Sequence, residues 1–181
     1  LTSAITNHYF LRTERLRFRC WSPEDLPAAR ELWGDLQVTQ FFGGPFSDEE
    51  IARRLQREIS RLESHGFQYW PIYLLTDHHH VGCCGLRPYR PADEIHELGF
   101  HLRPKYWGQG LAKEAARAVI AFSFASLGAK GLSAGHHPEN VVSKKLIEKL
   151  GFHYTHDDFF AALGINIPYY LLTPPDEGRF A

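Results

Sequence analysis

Apolar and polar positions alternate one by one through RLRFRCW, residues 15–21. Leu16, Phe18 and Cys20 share one face, and Arg15, Arg17 and Arg19 share the other. A period of two marks a half-buried strand, with the three arginines expected as its solvated face. The period then lengthens. In SPEDLPAARELW, Ser22 can cap, Pro23 suits a first helical turn, and Leu26, Ala29 and Trp33 fall on one side, which predicts a helix. VTQFFGGPF (38–46) keeps no period and is expected to be irregular. The next helix is SDEEIARRLQREISRLESHG. Ser47 and Glu50 form a reciprocal cap, Ile51, Leu55, Ile59 and Leu62 recur at helical spacing, and Gly66 lies just past the end.

Two strands, 68–76 and 81–89, flank the polar turn DHHH, and Pro71 predicts an edge or bulge position. EIHELGFHL (94–102) alternates again. Ile95, Glu97, Gly99 and His101 face one way; His96, Leu98, Phe100 and Leu102 face the other. A helix follows from about Gly110 to Phe124, with Leu111, Ala115, Ala118 and Phe122 on one side. Then come a short strand at 130–135, a helix over 139–150 with Ser143, Leu146, Ile147 and Leu150 along one stripe, and strands in FHYTHDDFF and IPYYLLT. The order β α α β β β α β α β β predicts an α/β (α+β) fold. Its sheet is mixed and largely antiparallel, with a parallel section where helices 110–124 and 139–150 act as crossovers. No repeat or dividing linker interrupts the 181 residues, so one domain is expected over 1–181.

Composition narrows the classes. Apolar residues make up 44% and charged residues 23%, with a net charge of −1. That balance argues against nucleic acid or an anionic membrane surface as partner. No apolar run approaches the roughly 20 residues of a membrane span. The opening LTSAITNHYF carries no secretory pattern, and the chain has no Met, so Leu1 is not an intact initiator. Of three cysteines, Cys83 and Cys84 are neighbours that a strand sends to opposite faces, which favours a reducing, cytoplasmic setting over a disulfide framework. His78, His79 and His80 cannot all face one ion from a regular element and suit a hairpin turn; no metal is expected.

The chemistry concentrates in KYWGQGLAKEAARAVIAF, residues 105–122. Gly108 and Gly110 open a helix, where unpaired backbone N–H groups and the positive dipole end favour an anion. A nucleotide P-loop would need Gly-Lys-Ser/Thr, which is absent. A dinucleotide fingerprint would need a small residue where Lys113 stands and an acid about 20 residues on, where GAKGLSA has none. A tight turn without a ligand stays open on these residues alone.

WGQGLA (107–112), followed by NVVSKKLIEKLGF, resembles the paired central motifs of the GNAT superfamily of N-acetyltransferases. Tyr-Trp-Gly-x-Gly-x-Ala, Asn-x-x-Ser, Glu-Lys-Leu-Gly-Phe and the opening TERLRFRCWSPEDLPAARELW are similar to the branch named for ribosomal-protein N-terminal acetyltransferases. The resemblance runs from about residue 11 to 173. Trp107 departs from the family's Gln or Arg at the first loop place.

The resemblance implies transfer of acetyl to an amine from acetyl-CoA, with acetyl-CoA bound where strands 94–102 and 130–135 splay apart. Phe100, His101 and Leu102 would line the pantetheine arm through their backbone, Gly108, Gln109, Gly110, Leu111, Ala112 and Lys113 would cradle the pyrophosphate, and Asn140 would contact the arm. Glu97 is the candidate base, with His101 or His96 as runners-up. The family's tyrosine acid falls on Ile147, which leaves Ser143 as the candidate acid. A peptide N-terminus, an amino acid or amine, or an aminoglycoside-like drug would meet FFGGPF, Trp70 and segment 157–168. A non-catalytic acetyl-CoA-binding module, a dinucleotide-dependent oxidoreductase and a homodimer all stay open at this point.

Overall fold

The alternating segments pair into an eight-stranded sheet. The computed structural model describes residues 8–174; the opening LTSAITN, on which the reading of a missing leader partly rests, lies outside them. The strands are β1 (Leu11–Arg12), β2 (Leu16–Phe18), β3 (Tyr69–Leu74), β4 (His80–Arg90), β5 (Ile95–Leu102), β6 (Gly131–Gly135), β7 (His153–Phe160) and β8 (Ile165–Leu172). They lie in the order β1-β2-β3-β4-β5-β6-β8-β7. The helices are α1 (Leu26–Trp33), α2 (Leu36–Thr39), α3 (Asp48–His65), α4 (Leu111–Ser126) and α5 (Val141–Lys149). The four-residue α2 begins just before the stretch expected to be irregular and takes in its first residues, Val38 and Thr39; Asp35 starts it by accepting from the Gln37 and Val38 amides.

Alternation along β3 and β4 divides the core in two. Trp70, Ile72, Cys84 and Leu86 point to one face, where Leu111, Ala115 and Val119 of α4 and Ile147 of α5 close over them. Tyr69 and Cys83 point to the other, against Trp33, Ile51 and Leu55 of α1 and α3. Each large apolar side chain buried in these layers stabilises the fold by about 1.5–3 kcal/mol. All three cysteines are free, and Cys83 and Cys84 do sit on opposite faces. α3 starts as its sequence demands: Ser47 Oγ accepts from the Glu50 amide at 3.3 Å and Glu50 Oε2 accepts from the Ser47 amide at 2.8 Å. Such a cap contributes about 1 kcal/mol.

Three expectations need correction. Arg17 and Arg19 are buried rather than solvated, because residues from other segments, Tyr9 over Arg17 and Asp25 and Tyr73 over Arg19, cover that face. Arg19 forms a two-pronged pair with Asp25 (2.7 and 2.5 Å) and lies under the Tyr73 ring. Arg17 sits 4.1 Å from the centre of the Tyr9 ring. Of the two places expected for Pro71, the edge fails, since β3 lies between β2 and β4, while the bulge is close by: the missing N–H is tolerated where β2 has ended and one residue before a register shift at Ile72/Tyr73. Only α4 joins paired parallel strands. β8 inserts antiparallel between β6 and β7, so α5 crosses to a strand that is not a neighbour.

That insertion bears on the site. β5 and β6 pair only from Ile95↔Gly131 to Glu97↔Ser133. Beyond Glu97, β5 continues to Leu102 and β6 to Gly135 without pairing to each other, so the two strands separate at their C-terminal ends.

Candidate active site

The loop before α4 is shaped by the backbone of two glycines. Gly108 (φ 72°) and Gly110 (φ 78°) occupy the left-handed region, and a Cβ on Gly108 would meet nothing within 4 Å. The N–H groups from Gly108 to Lys113 donate to no protein acceptor among the described residues; the first amide of the turn to do so is Glu114, to the Gly110 carbonyl at 3.1 Å. A run of free donors at the positive end of a long helix fits an anionic phosphate group.

The loop is held in place by residues the sequence reading had placed elsewhere. Arg15 Nη1 donates to the Gln109 carbonyl at 2.9 Å, and Arg15 Nε donates to Glu114 Oε2 at 2.7 Å. The Arg15 amide (2.8 Å) and Thr13 Oγ1 (2.5 Å) donate to Glu114 Oε1. Burial opposes the charge of Glu114, but these hydrogen bonds outweigh it and hold the carboxyl below its ordinary range. The turn between β1 and β2 thus neutralises the one acid in the first turn of α4, next to the free amides. Trp107 Nε1 donates to the Leu102 carbonyl at 2.7 Å and ties the loop to the end of β5.

Along β5, register decides which backbone groups face the gap. His101 pairs with Cys83, and its carbonyl turns toward β4, crowding Gly82. Neighbouring residues alternate, so the backbone of Leu98 and Phe100 turns to the open side. The Glu94 carbonyl, on that same side, accepts from the Lys130 amide at 3.0 Å as β6 begins.

The α3 face of β5 carries Glu97, Gly99 and His101 in line. Glu97 is buried, and its Oε1 accepts from Arg87 Nη2 at 2.5 Å. Gly99 makes room for Tyr69: a Cβ there would overlap the Tyr69 hydroxyl and ring. The phenol therefore crosses the strand between Glu97 and His101, and burial pushes its pKa well up, so it keeps its proton. Burial, then the charges of Arg54 and Arg87, hold His101 well below the ordinary histidine range, leaving a neutral imidazole at neutral pH. Trp33 Nε1 donates to its Nδ1 at 3.4 Å, which places the ring's own proton on Nε2. Phe42 stacks on the His101 ring at 4.6 Å. Tyr169 lies on the other flank, stacked on Tyr89 at 5.3 Å; burial and the neighbouring Glu97 push it up to about 12.

Of the remaining sequence candidates, Asn140 caps α5, its Oδ1 accepting from the Ser143 amide at 3.0 Å. Ser143 is half-buried in the first turn of α5, while Ile147 is a core residue. Leu111 turns its side chain into the core, so only its backbone serves the loop; Ala112 is half-buried against the same core. His96 points to the α4 face, away from Glu97, and its ring lies 4.5 Å from that of Phe67, tilted by 47°. Trp70 is buried on that face as well, against Phe122, and is no part of an acceptor pocket on the Glu97 side. Within FFGGPF, by contrast, Phe42 and Phe46 do line that side. The histidine run separates: His79 pairs with Asp77 at 2.9 Å, and His80 is buried between Trp21 and Tyr73. Arg54 carried a signal that went unread: it falls on the apolar stripe of α3, beside Leu55 and between Ile51 and Glu58. Arg87 carried none, since only strand register brings it to Glu97.

A splayed parallel pair beside a backbone-lined anion cradle is the arrangement of an acyl-CoA-dependent transferase. The sequence profile of the acetyltransferase (GNAT) domain matches residues 15–153. The uncharacterized N-acetyltransferase p20 of Bacillus licheniformis is 32% identical over 144 residues, spanning 78% of this chain and 81% of that protein. The crystal structure of an acetyltransferase from Agrobacterium tumefaciens superposes with a TM-score of 0.76 at 26% identity, covering 93% of this chain and 98% of the other. In fold alone, the ribosomal L7/L12 alpha-N-protein acetyltransferase RimL in complex with coenzyme A superposes with a TM-score of 0.78 at 15% identity, over 92% and 98% of the chains. The chain belongs to the GNAT family of acetyltransferases. It is an acyltransferase whose acyl donor is acetyl-CoA. Among the described residues, no helix is long and apolar enough to cross a membrane.

Proposed function

We propose that this chain, acting as one catalytic domain, transfers acetyl to a primary amine held on the α3 face of β5. The observation that carries the reading is the run of unpartnered amides from Gly108 to Lys113, aligned with the opening between β5 and β6. Those amides, with Gln109 and Lys113 at the rim, hold the pyrophosphate; the backbone of Phe100 and Leu102, on the open side of β5, guides the pantetheine arm, with Asn140 across from them, while the His101 backbone, expected from the sequence to join them, is turned to β4. Acetyl-CoA supplies the acetyl group as a thioester. The acceptor nitrogen must be neutral to attack, so a group on the chain has to take its proton. Glu97 takes it, oriented by Arg87, and His101 with its neutral ring stands one step further along the strand. As the nitrogen–carbon bond forms and the carbon–sulfur bond breaks, Ser143 Oγ offers the leaving sulfur a hydrogen bond. Positioning by Phe42, Tyr69 and Tyr169 supplies the remainder of the rate.

Calorimetry with acetyl-CoA and NADH, followed by thiol-release assays across amines, amino acids and short peptides, tests this reading. Tight acetyl-CoA binding with amine-dependent thiol release supports it. Binding of NADH in place of acetyl-CoA, or thiol release indifferent to every amine, would refute it.

A further inference from the structure

Around Tyr69 and His101 the α3 face holds three arginines, Arg54, Arg61 and Arg87, and two of them are already matched. Glu58 accepts from Arg61 Nη1 at 2.7 Å through both carboxylate oxygens, and its Oε2 also accepts from the Tyr69 amide at 2.9 Å. Glu97 is matched with Arg87. Arg54 has no such partner. Its Nε is sealed from solvent without a hydrogen bond, and neither Nη donates to an acceptor among the described residues. No carboxylate on this face is left over for it.

The guanidinium is nevertheless held firmly. Its Cζ lies 4.8 Å from the centre of the Trp33 ring, 5.3 Å from Phe42 and 5.6 Å from Phe46. Two of these rings also hold His101: Phe42 stacks on it at 4.6 Å, and Trp33 donates to it at 3.4 Å. Arg54 therefore shares two rings with His101, on the face of β5 where the amine is expected. The rings favour a cation by their faces and restrict the guanidinium to one plane, but they satisfy none of its N–H donors. A half-buried cation whose Nε is sealed from water and unpaired gains from an anion that completes it.

We propose that the acceptor carries a carboxylate close to its amine, and that Arg54 binds this carboxylate. The inference rests on the amine-acetylation reading above. A planar fork held between aromatic rings matches the two oxygens of a carboxylate. Two sources share that chemistry: a free amino acid, and a peptide whose acidic side chain lies near its N-terminus.

The test uses the whole protein with saturating coenzyme A, titrated calorimetrically with acetylated products. One arm compares N-acetylglycine, N-acetylalanine, N-acetylphenylalanine and N-acetylglutamate with the matching α-carboxamides. The other compares acetyl-Ser-Glu-Ala-amide with acetyl-Ser-Gln-Ala-amide. At least one acid should bind about 30-fold more tightly than its amide, and the arm in which this happens identifies the source. Arg54→Met, which keeps an apolar stem between the rings, should reduce that ratio to within about threefold. Arg54→Lys, which keeps the charge without the fork, should retain part of it. No acid preferred over its amide by the wild-type protein overturns the inference, as does a preference that survives in Arg54→Met. If Arg54→Met does not fold, the wild-type ratios and Arg54→Lys decide. Amine-dependent thiol release with no preference for acids removes this inference alone; loss of acetyl-CoA binding itself removes the reading beneath it.

Discussion

His80 is closed between Trp21 and Tyr73, with ring centres 5.6 and 5.3 Å away, and both of its ring nitrogens are buried without a partner. Burial, followed by the charge of Arg103, lowers its pKa from 6.5 to about 4. In the window between those two values, an unfolded chain binds a proton that the folded chain does not. Stability is therefore complete above about pH 6.5 and falls as the pH drops toward 4, because the unfolded state gains protons first. Integrated from pH 7.5 to pH 5, this single ring removes about 2 kcal/mol. That is a large part of a typical total of about 5–15 kcal/mol. Urea denaturation at the two pH values measures it, and the expected midpoint shift is roughly 1 M. The comparison is with His80→Phe, which keeps an aromatic ring between Trp21 and Tyr73 and has no titrating proton. The variant should lose about 2 kcal/mol less than the wild type over the same interval. His101, also held low, acts in the same direction in both proteins and cancels from the difference. Identical pH dependence in the two proteins would refute the assignment.

Gly110→Asp should weaken acetyl-CoA binding about 100-fold or more by calorimetry, since it places a carboxylate beside the phosphates on a left-handed backbone position; unchanged affinity would remove the loop from the site. Glu97→Gln should lower kcat by about 10²–10⁴ and move the pH–rate profile, with little change in acetyl-CoA affinity. A lower melting temperature with an unmoved profile would mean that Glu97 only anchors Arg87. Gly99→Ala forces a Cβ against the buried Tyr69 ring and should cost about 1–3 kcal/mol, seen as a fall of several degrees in the melting temperature. The same variant should slow turnover, because Tyr69 lies between Glu97 and His101.

Most helices and strands were legible because the interactions that define them are local. The reciprocal cap of Ser47 and Glu50, the apolar stripe of α3 and the alternation of 94–102 each lie within a few residues of one another, and each appears in the structure where the periodicity predicts it. The two-residue β1 and the single turn of α2 were missed, since segments so short carry no period. Part of the site was legible for the same reason. The glycine loop is a property of consecutive residues, and the faces of β5 follow from alternation alone. Glu97, Gly99 and His101 could be grouped before any contact was known.

Pairings between distant residues could not be read in this way. The strand period placed Arg15, Arg17 and Arg19 on one face, but what covers that face comes from other segments. Asp25 and Tyr73 bury Arg19, Tyr9 covers Arg17, and Glu114, far along the chain, engages Arg15. The insertion of β8 between β6 and β7 is likewise a matter of sheet assembly. So is the match of Arg87 to Glu97 across β4 and β5, which leaves Arg54, beside the rings that hold His101, without a carboxylate. Sequence by itself determined most of the elements, the glycine loop that opens α4 and the grouping of Glu97, Gly99 and His101 on one side of β5, because short-range sterics and periodicity act within a few residues. Tertiary structure decided which charges are neutralised and which stay available, because ion pairing and burial depend on neighbours that the chain brings together only when the sheet closes.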